Sequence, residues 1–252
     1  MLITNAIITQ IIELGNSTFL IKIHSPETAL KAKPGQFCNI KVSESIFPLL
    51  RRPFSICDVE GEYLYFMFKV QGEGTKLLAH RKTGETLDVL GPLGNGFNVE
   101  CDYETAVFVA GGLGSAPFPF VTRQIPSDKK IFSFVGGRSA KDVITYNLKN
   151  IIVSTDDGSL GFKGNVIELL QENIHQLTSS KIKLFGCGPT VMLRSLKEFA
   201  LSNNFECEIS TECAMACGFG ICQGCPIEAI DKDGYYLVCK DGPVFDVKKV
   251  VI

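Results

Sequence analysis

The first hundred residues carry short runs of apolar and β-branched side chains, among them Thr18–Ile23, Gln36–Val42 and Tyr63–Val70. Each has the length and composition of a strand. Pro26, Pro34-Gly35, Gly61 and Gly91-Pro92 break the runs apart. Many short strands with no long helix between them predict a small antiparallel β-barrel or sandwich, with a helical turn or two at Thr75–Leu78.

From Ala106 the period changes. Ala106–Ala110 is a continuous apolar run, as expected for a strand covered on both faces, and it leads into Gly111-Gly112-Leu113-Gly114, with Pro117 placed for the first turn of a helix. Lys130–Val135 meets Gly136-Gly137, after which Ser139 is positioned to cap a helix from about Ala140. Asn165 is the expected cap of a further helix, with Val166, Leu169, Leu170, Ile174 and Leu177 at helical spacing. Ile182–Phe185 then enters Gly186-Cys187-Gly188-Pro189, followed by Val191, Met192, Leu193 and Leu196 on one helical face. Strands alternating with helices predict an α/β domain built on a parallel sheet, with ligands at the carboxyl ends of its strands. The expected division is a multi-domain chain: barrel 1–99, nucleotide domain 100–209, small cysteine module 210–252.

The 252 residues are 45% hydrophobic and 21% charged, with a net charge of -2, values of an ordinary soluble protein. Scattered Lys and Arg form no basic stripe, so no nucleic-acid partner is expected. Met1–Ile7 lacks the basic region and long apolar core of a signal peptide, and no apolar run reaches membrane-spanning length. A cytoplasmic protein with no membrane contact is therefore expected, and disulfides are not.

Ten cysteines change that picture. Cys38, Cys57, Cys101, Cys187, Cys207 and Cys213 mostly lie among apolar neighbours and read as small reduced core residues, with Cys187 a candidate exception. Cys217, Cys222 and Cys225 follow C-x4-C-x2-C spacing, with Cys239 further on. That is the plant-type arrangement that holds a [2Fe-2S] cluster through four thiolates. Gly218, Gly220 and Gly224 suit a loop that turns tightly and points N–H groups at sulfur. Four cysteines also suit structural zinc, although zinc sites more often use two short C-x2-4-C knuckles. His24, His80 and His175 form no visible constellation.

Arg51–Ile56 places a cation, an aromatic ring and a hydroxyl in succession, and Gln71–Thr75 is a glycine-rich turn before a helical segment. Alone, the first reads as a solvated turn and the second as a hairpin turn, while the loop at Gly111–Gly114 is not a G-x-G-x-x-G fingerprint. Taken in this order, they resemble the ferredoxin-reductase family. The resemblance implies that Arg52, Pro53, Phe54 and Ser55 meet the pyrophosphate and ring of FAD, that Gly74 and Thr75 hold phosphate, and that Met67, Phe68 and Lys69 belong to the same site. It also implies that Gly111, Gly112 and Gly114 face the pyrophosphate of NAD(H), with Cys187, Gly188 and Pro189 beside the nicotinamide. Asp156-Asp157-Gly158 is similar to a T-D-D-G-S segment of that domain.

With Met215–Cys225 and Val238–Phe245 added, the chain resembles the electron-transfer subunits of NAD-linked, class 1B dihydroorotate dehydrogenases. That resemblance implies FAD, a [2Fe-2S] cluster on Cys217, Cys222, Cys225 and Cys239, NAD(H) as soluble partner, and an FMN-containing catalytic subunit in a heterotetramer of two copies each. The reaction implied is oxidation of dihydroorotate to orotate in pyrimidine synthesis. Cys213 departs from the pattern as a fifth nearby cysteine. The alternatives are a flavin and iron-sulfur subunit of another oxidoreductase, such as a ferredoxin-NADP transhydrogenase, sulfide dehydrogenase or hydrogenase, or a non-enzymatic module stabilised by zinc.

Overall fold

The computed structural model describes residues 2–177 and 181–252. Strands β1 (Leu2–Gly15), β2 (Thr18–His24), β3 (Phe37–Lys41), β4 (Arg52–Glu60), β5 (Tyr63–Lys69) and β6 (Thr86–Leu93) close into a barrel in the order β1-β2-β5-β4-β3-β6. Every neighbouring pair is antiparallel. Closure removes the free edges that a six-stranded sheet would otherwise expose. Ile8, Ile21, Ile23, Ile40, Ile56, Phe66, Phe68, Leu87 and Val89 fill its interior. Helix α1 (Pro26–Lys31) follows β2, and α2 (Glu73–Ala79) begins two residues before the expected turn.

The second half is a seven-stranded sheet. β7 (Thr105–Gly111), β8 (Lys130–Gly137), β9 (Ile151–Thr155), β10 (Phe162–Lys163), β11 (Ile182–Cys187) and β12 (Glu206–Ser210) are mutually parallel. Helices α3 (Phe118–Gln124), α4 (Val166–Asn173) and α5 (Thr190–Ser202) connect them. Asn165 caps α4 as expected, its side chain accepting from the N–H groups of Ile167 and Glu168 while Glu168 reaches back to Asn165 N. That helix is shorter than the apolar spacing predicts: it ends at Asn173 and passes into a 3-10 turn over 174–176. Ser139 caps no α-helix. Its hydroxyl bonds Asp142, and only a 3-10 turn, Ala140–Asp142, follows.

Beyond β12 the chain forms the small pair β13 (Pro226–Glu228) and β14 (Tyr235–Leu237), and then β15 (Val244–Asp246) adds antiparallel to β12. The sheet order is therefore β10-β9-β8-β7-β11-β12-β15, so the cysteine segment contributes an edge strand to the nucleotide-type sheet. Val238, Phe245, Val247 and Val250 share one apolar cluster with Ile209, Leu193 and Leu196.

Barrel and sheet are joined by a charged clamp. Arg123 on α3 donates from Nε and Nη2 to the two Asp58 oxygens on β4, both at 2.8 Å, and Nη2 also reaches Glu60 at 2.8 Å. Asp58 is only 2% exposed. Nearby, Met67, Leu20 and Tyr65 on the outside of the barrel pack against Ala116 and Leu113. Removing one partner of a buried pair leaves the other charged and unsolvated. Arg123→Ala is expected to cost about 2 kcal/mol, below the fully buried figure because Arg123 reaches solvent. Chemical denaturation should read this as a lower midpoint, and Arg123→Lys should recover only part because it loses the two-point contact.

Candidate functional site

Chain order makes β7 the turning point of the sheet. β8, β9 and β10 run outward on one side of it, and β11 and β12 on the other. Helix connections must leave such a switch point in opposite directions, which opens a crevice at the strand ends. Both glycine loops fall there. Ala110 and Cys187 are register partners, so Gly111–Gly114 and Cys187–Pro189 emerge side by side. They touch through backbone: a Cβ on Gly114 would overlap the Cys187 carbonyl, and one on Gly111 would lie 2.7 Å from Pro189 Cδ. The Ser115 hydroxyl is buried beside these glycines without a hydrogen-bond partner.

Cys187 itself is fully enclosed, and burial, followed by the Glu212 charge, pushes its thiol far up. It is a packed neutral thiol at the strand end rather than a thiolate. The segment Asp156–Gly158 lies at the end of β9, where Ser159 donates to Asp157 and, with that side-chain bond the largest cause, holds its carboxyl below the usual range.

On the barrel, the chain brings Arg52 and Gly74 together. A Cβ on Gly74, in the first turn of α2, would sit 3.1 Å from Arg52 Nε. Arg52 also donates to Leu50 O at 2.6 Å. The Thr75 hydroxyl accepts from Gln71 N and Gly72 N and donates to Gly72 O, which uses its whole capacity. The Thr75 hydroxyl is thus spent inside the turn, which leaves free backbone N–H groups and Arg52 to meet an anion.

Pro53 and Ser55 lie on β4 opposite their register partners Asn39 and Phe37 of β3. Phe54 is 8% exposed and packs on Phe68 with ring centroids 5.7 Å apart. Phe68 is barrel core, Met67 lies in the contact with Ala116, and Lys69 pairs with Asp142 at 3.3 Å. Those three side chains are occupied, so only their backbone is available to a ligand.

The cysteines fall into two pairs. Cys217 Sγ receives N–H groups from Phe219 at 3.5 Å and Cys222 at 3.4 Å. Cys225 and Cys239 Sγ atoms lie 3.1 Å apart, and Cys239 N points at Cys225 Sγ. Among the described residues no three His, Cys, Asp or Glu side chains close on one ion. Two pairs lined with N–H groups fit a two-iron cluster with two thiolates per iron better than a single zinc tetrahedron. Burial pushes the Cys217 thiol up, but N–H groups of Cys222 and Phe219 outweigh it and hold it at about 6. Burial and the neighbouring Cys225 push Cys239 up to about 12 and Cys213, which touches the same sulfur, up to about 11. All ten cysteines are free thiols, with Cys38, Cys57 and Cys207 buried and Cys101 partly exposed.

One residue escaped the sequence reading. Asn39 donates Nδ2 to Cys217 O at 3.2 Å, carrying β3 of the barrel onto the cysteine loop. Its only signal was an amide inside the apolar run Phe37-Cys38-Asn39-Ile40.

Residues 212–251 match a family described as the iron-sulfur cluster binding domain of dihydroorotate dehydrogenase B, and residues 3–114 match an FAD-binding domain. The Bacillus cereus dihydroorotate dehydrogenase B (NAD(+)) electron transfer subunit is 37% identical over 260 residues, covering 98% of both chains. The chain belongs to this family of electron transfer subunits. Its Caldanaerobacter subterraneus relative of the same name is 37% identical across 88% of each chain. Among solved structures, an NADH-dependent reduced ferredoxin-NADP oxidoreductase superposes with a TM-score of 0.86 at 26% identity, covering 98% of this chain and 90% of that one. Phthalate dioxygenase reductase, at 15% identity and a TM-score of 0.64 over 84% of this chain and 70% of that one, shares the fold. No helix among the described residues is long and apolar enough to cross a membrane.

In protein stripped of iron, iodoacetamide should label Cys217 ahead of Cys225 and Cys239 at neutral pH. Labelling of Cys217 should rise through about pH 6, where its thiol ionises, rather than through the ordinary range near about 8.5. Mass spectrometry across a pH series reads the order directly.

Proposed function

We propose that this chain is the electron-transfer subunit of a cytoplasmic dihydroorotate dehydrogenase B, moving electrons from an FMN-bearing catalytic subunit to NAD+ as dihydroorotate becomes orotate. The observation that carries this reading is the set of two cysteine pairs, joined by Asn39 to the barrel strand beside Arg52–Ser55. Bound FAD and a [2Fe-2S] cluster would together couple two-electron hydride exchange to one-electron transfer.

The chain's own residues divide that work. Arg52 and the backbone amides of Gly74 and Thr75 would hold the flavin's phosphates, with a charge-assisted bond from the guanidinium. Pro53 and Ser55 would shape the wall along its ring with Phe54 packed behind them on Phe68, and Met67, Phe68 and Lys69 would contribute backbone while the Met67 and Lys69 side chains fix the barrel to the sheet domain. Gly111, Gly112 and Gly114 would receive the NAD(H) pyrophosphate, and Cys187-Gly188-Pro189 would bound the nicotinamide. The neutral, enclosed Cys187 thiol excludes water there without entering the redox chemistry. Cys217, Cys222, Cys225 and Cys239 would ligate the cluster, with N–H groups already directed at the Cys217 and Cys225 sulfurs.

A protein partner is supported by the surface. In the loop between β3 and β4, Ile46, Phe47 and Leu49 are 85%, 72% and 75% exposed, and Ile221 of the cysteine loop is 76% exposed. Large apolar side chains left in water on these two loops are the kind of surface a protein partner covers. The partner in this reading is the FMN-bearing catalytic subunit, in a heterotetramer of two copies each.

The likeness to an NADH-dependent reduced ferredoxin-NADP oxidoreductase favours a second reading, a flavin and iron-sulfur subunit of another NAD(P)H oxidoreductase. The match of residues 212–251 and the curated relatives favour the first. Recombination with a dihydroorotate-oxidising subunit separates them, because only the first reading predicts NAD+ reduction by dihydroorotate.

Cys225→Ser exchanges a soft thiolate for a poor iron ligand. Iron content should fall, and dihydroorotate-to-NAD+ flux with the catalytic subunit should drop by about 100-fold, at the upper end for a damaged metal centre. NADH-driven dye reduction, which needs the flavin alone, should stay within about twofold of wild type. Undiminished flux would remove Cys225 from the electron path. Ile221→Glu should leave both cofactors bound but weaken assembly with the catalytic subunit by about tenfold or more, equal to about 1.4 kcal/mol, in analytical ultracentrifugation.

A further inference from the structure

Cys38 and Ile40 point into the barrel core, so the intervening Asn39 faces out of the barrel. It is nonetheless 1% exposed, because the cysteine loop covers it. Nδ2 donates to Cys217 O at 3.2 Å, and the Gly218 Cα is pressed so close that a Cβ there would collide with the amide. The reverse amide orientation would set two oxygens against each other, which determines which end is the donor. Across β4, Asn39 stands opposite Pro53, with Ile40 opposite Arg52 and Cys38 opposite Phe54. One side chain therefore sits beside the segment assigned to the flavin, on the same face of the barrel, and in contact with the first cysteine of the cluster set.

Asn39 Oδ1 has no hydrogen-bond partner. A buried acceptor left unpaired is costly, and an aliphatic side chain would fill this seam without that cost. The amide is kept for what Nδ2 does to the loop. Cys217–Gly218 has no other side-chain bond to the barrel among the described contacts, so this donor sets how far the Cys217 edge of the site stands from Arg52–Ser55.

We propose that Asn39 is a positioning residue for electron transfer, holding the Cys217 side of the cluster at fixed distance from the flavin segment and tuning the cluster through the Cys217 peptide. The inference rests on the function proposed above. Transfer between two centres falls steeply with their separation, and groups that orient a metal ligand affect both retention and potential.

Two variants of the intact, cofactor-loaded chain test it. Asn39→Leu keeps the volume and removes the donor, and Asn39→Asp keeps the shape and sets an acceptor against the Cys217 carbonyl. In both, FAD content and NADH–dye reduction should stay within about twofold of wild type, while cluster loss to a chelator accelerates by about 10- to 100-fold. Amide exchange over 217–222 should rise, and the cluster's midpoint potential should fall in Asn39→Asp while the flavin's stays in place. Unchanged cluster retention, exchange and potential in both variants would overturn the proposal. Joint loss of FAD and cluster in both would also overturn it, since that is the mark of a residue needed only for folding. Wild-type chain that binds FAD but no iron would overturn the proposed function instead, and this inference with it.

Discussion

Contacts too close to admit a Cβ, at Gly94, Gly114 and Gly218, fix how the segments of this molecule meet. Gly114 rests on the Cys187 carbonyl where the two strand-end loops meet, Gly94 at the end of the barrel rests on the carbonyl of Gly242, and Gly218 rests on the Asn39 amide. None of these positions has room for a Cβ, and at Gly94 and Gly218 the backbone also has positive φ. Asn95 reinforces the second seam by donating to Gly242 O and, from its side chain, to Asp241 O at 2.9 Å. Close-packed atoms deform little, so contacts at this range leave the separations between segments little room to vary. For a chain that exchanges electrons between sites on different parts, fixed separation is the main structural requirement.

The same seams explain why the cysteine segment is not an appendage. β15 pairs with β12, Val244–Phe245 and Val247 enter the apolar clusters of the sheet domain, and Thr211 bonds back to Pro243 O. A loop that carried thiolates on a free tether would place them at many distances from the barrel. Anchored at both ends, the 217–225 loop has its remaining freedom removed by Asn39. The Asp58–Arg123–Glu60 clamp does the equivalent work between barrel and nucleotide-type sheet, tying the segment Arg52–Ser55 on β4 to the sheet that carries the strand-end glycine loops.

Much of this was legible from local patterns. Ala106–Ala110 had to be a strand buried on both faces because it has no polar side, and it is the central strand β7. The C-x4-C-x2-C spacing named its chemistry because thiolate spacing is set by the cluster rather than by the fold. What local pattern could not carry were contacts between residues far apart in sequence. Nothing local marks Arg123 or Asp58, whose pairing exists only once α3 is laid across β4. Val244–Asp246 is too short for periodicity to mark as an edge strand. Asn39 looked like a polar interruption in an apolar strand, and its meaning depends on a loop 178 residues further along. Met67 and Phe68 fell within the expected flavin site, yet their side chains serve packing, because alternation along β5 gives one to the seam and the other to the barrel core.

In the proposed function a single rigid chain joins a hydride site to a one-electron site. Anaerobic rapid mixing of the isolated, cofactor-loaded chain with NADH, followed at separate flavin and iron-sulfur wavelengths, tests it most directly. Flavin absorbance should bleach first, and cluster reduction should follow at a rate independent of protein concentration. A cluster that stays oxidised, or one whose reduction rate climbs with protein concentration because electrons pass between molecules, would contradict it.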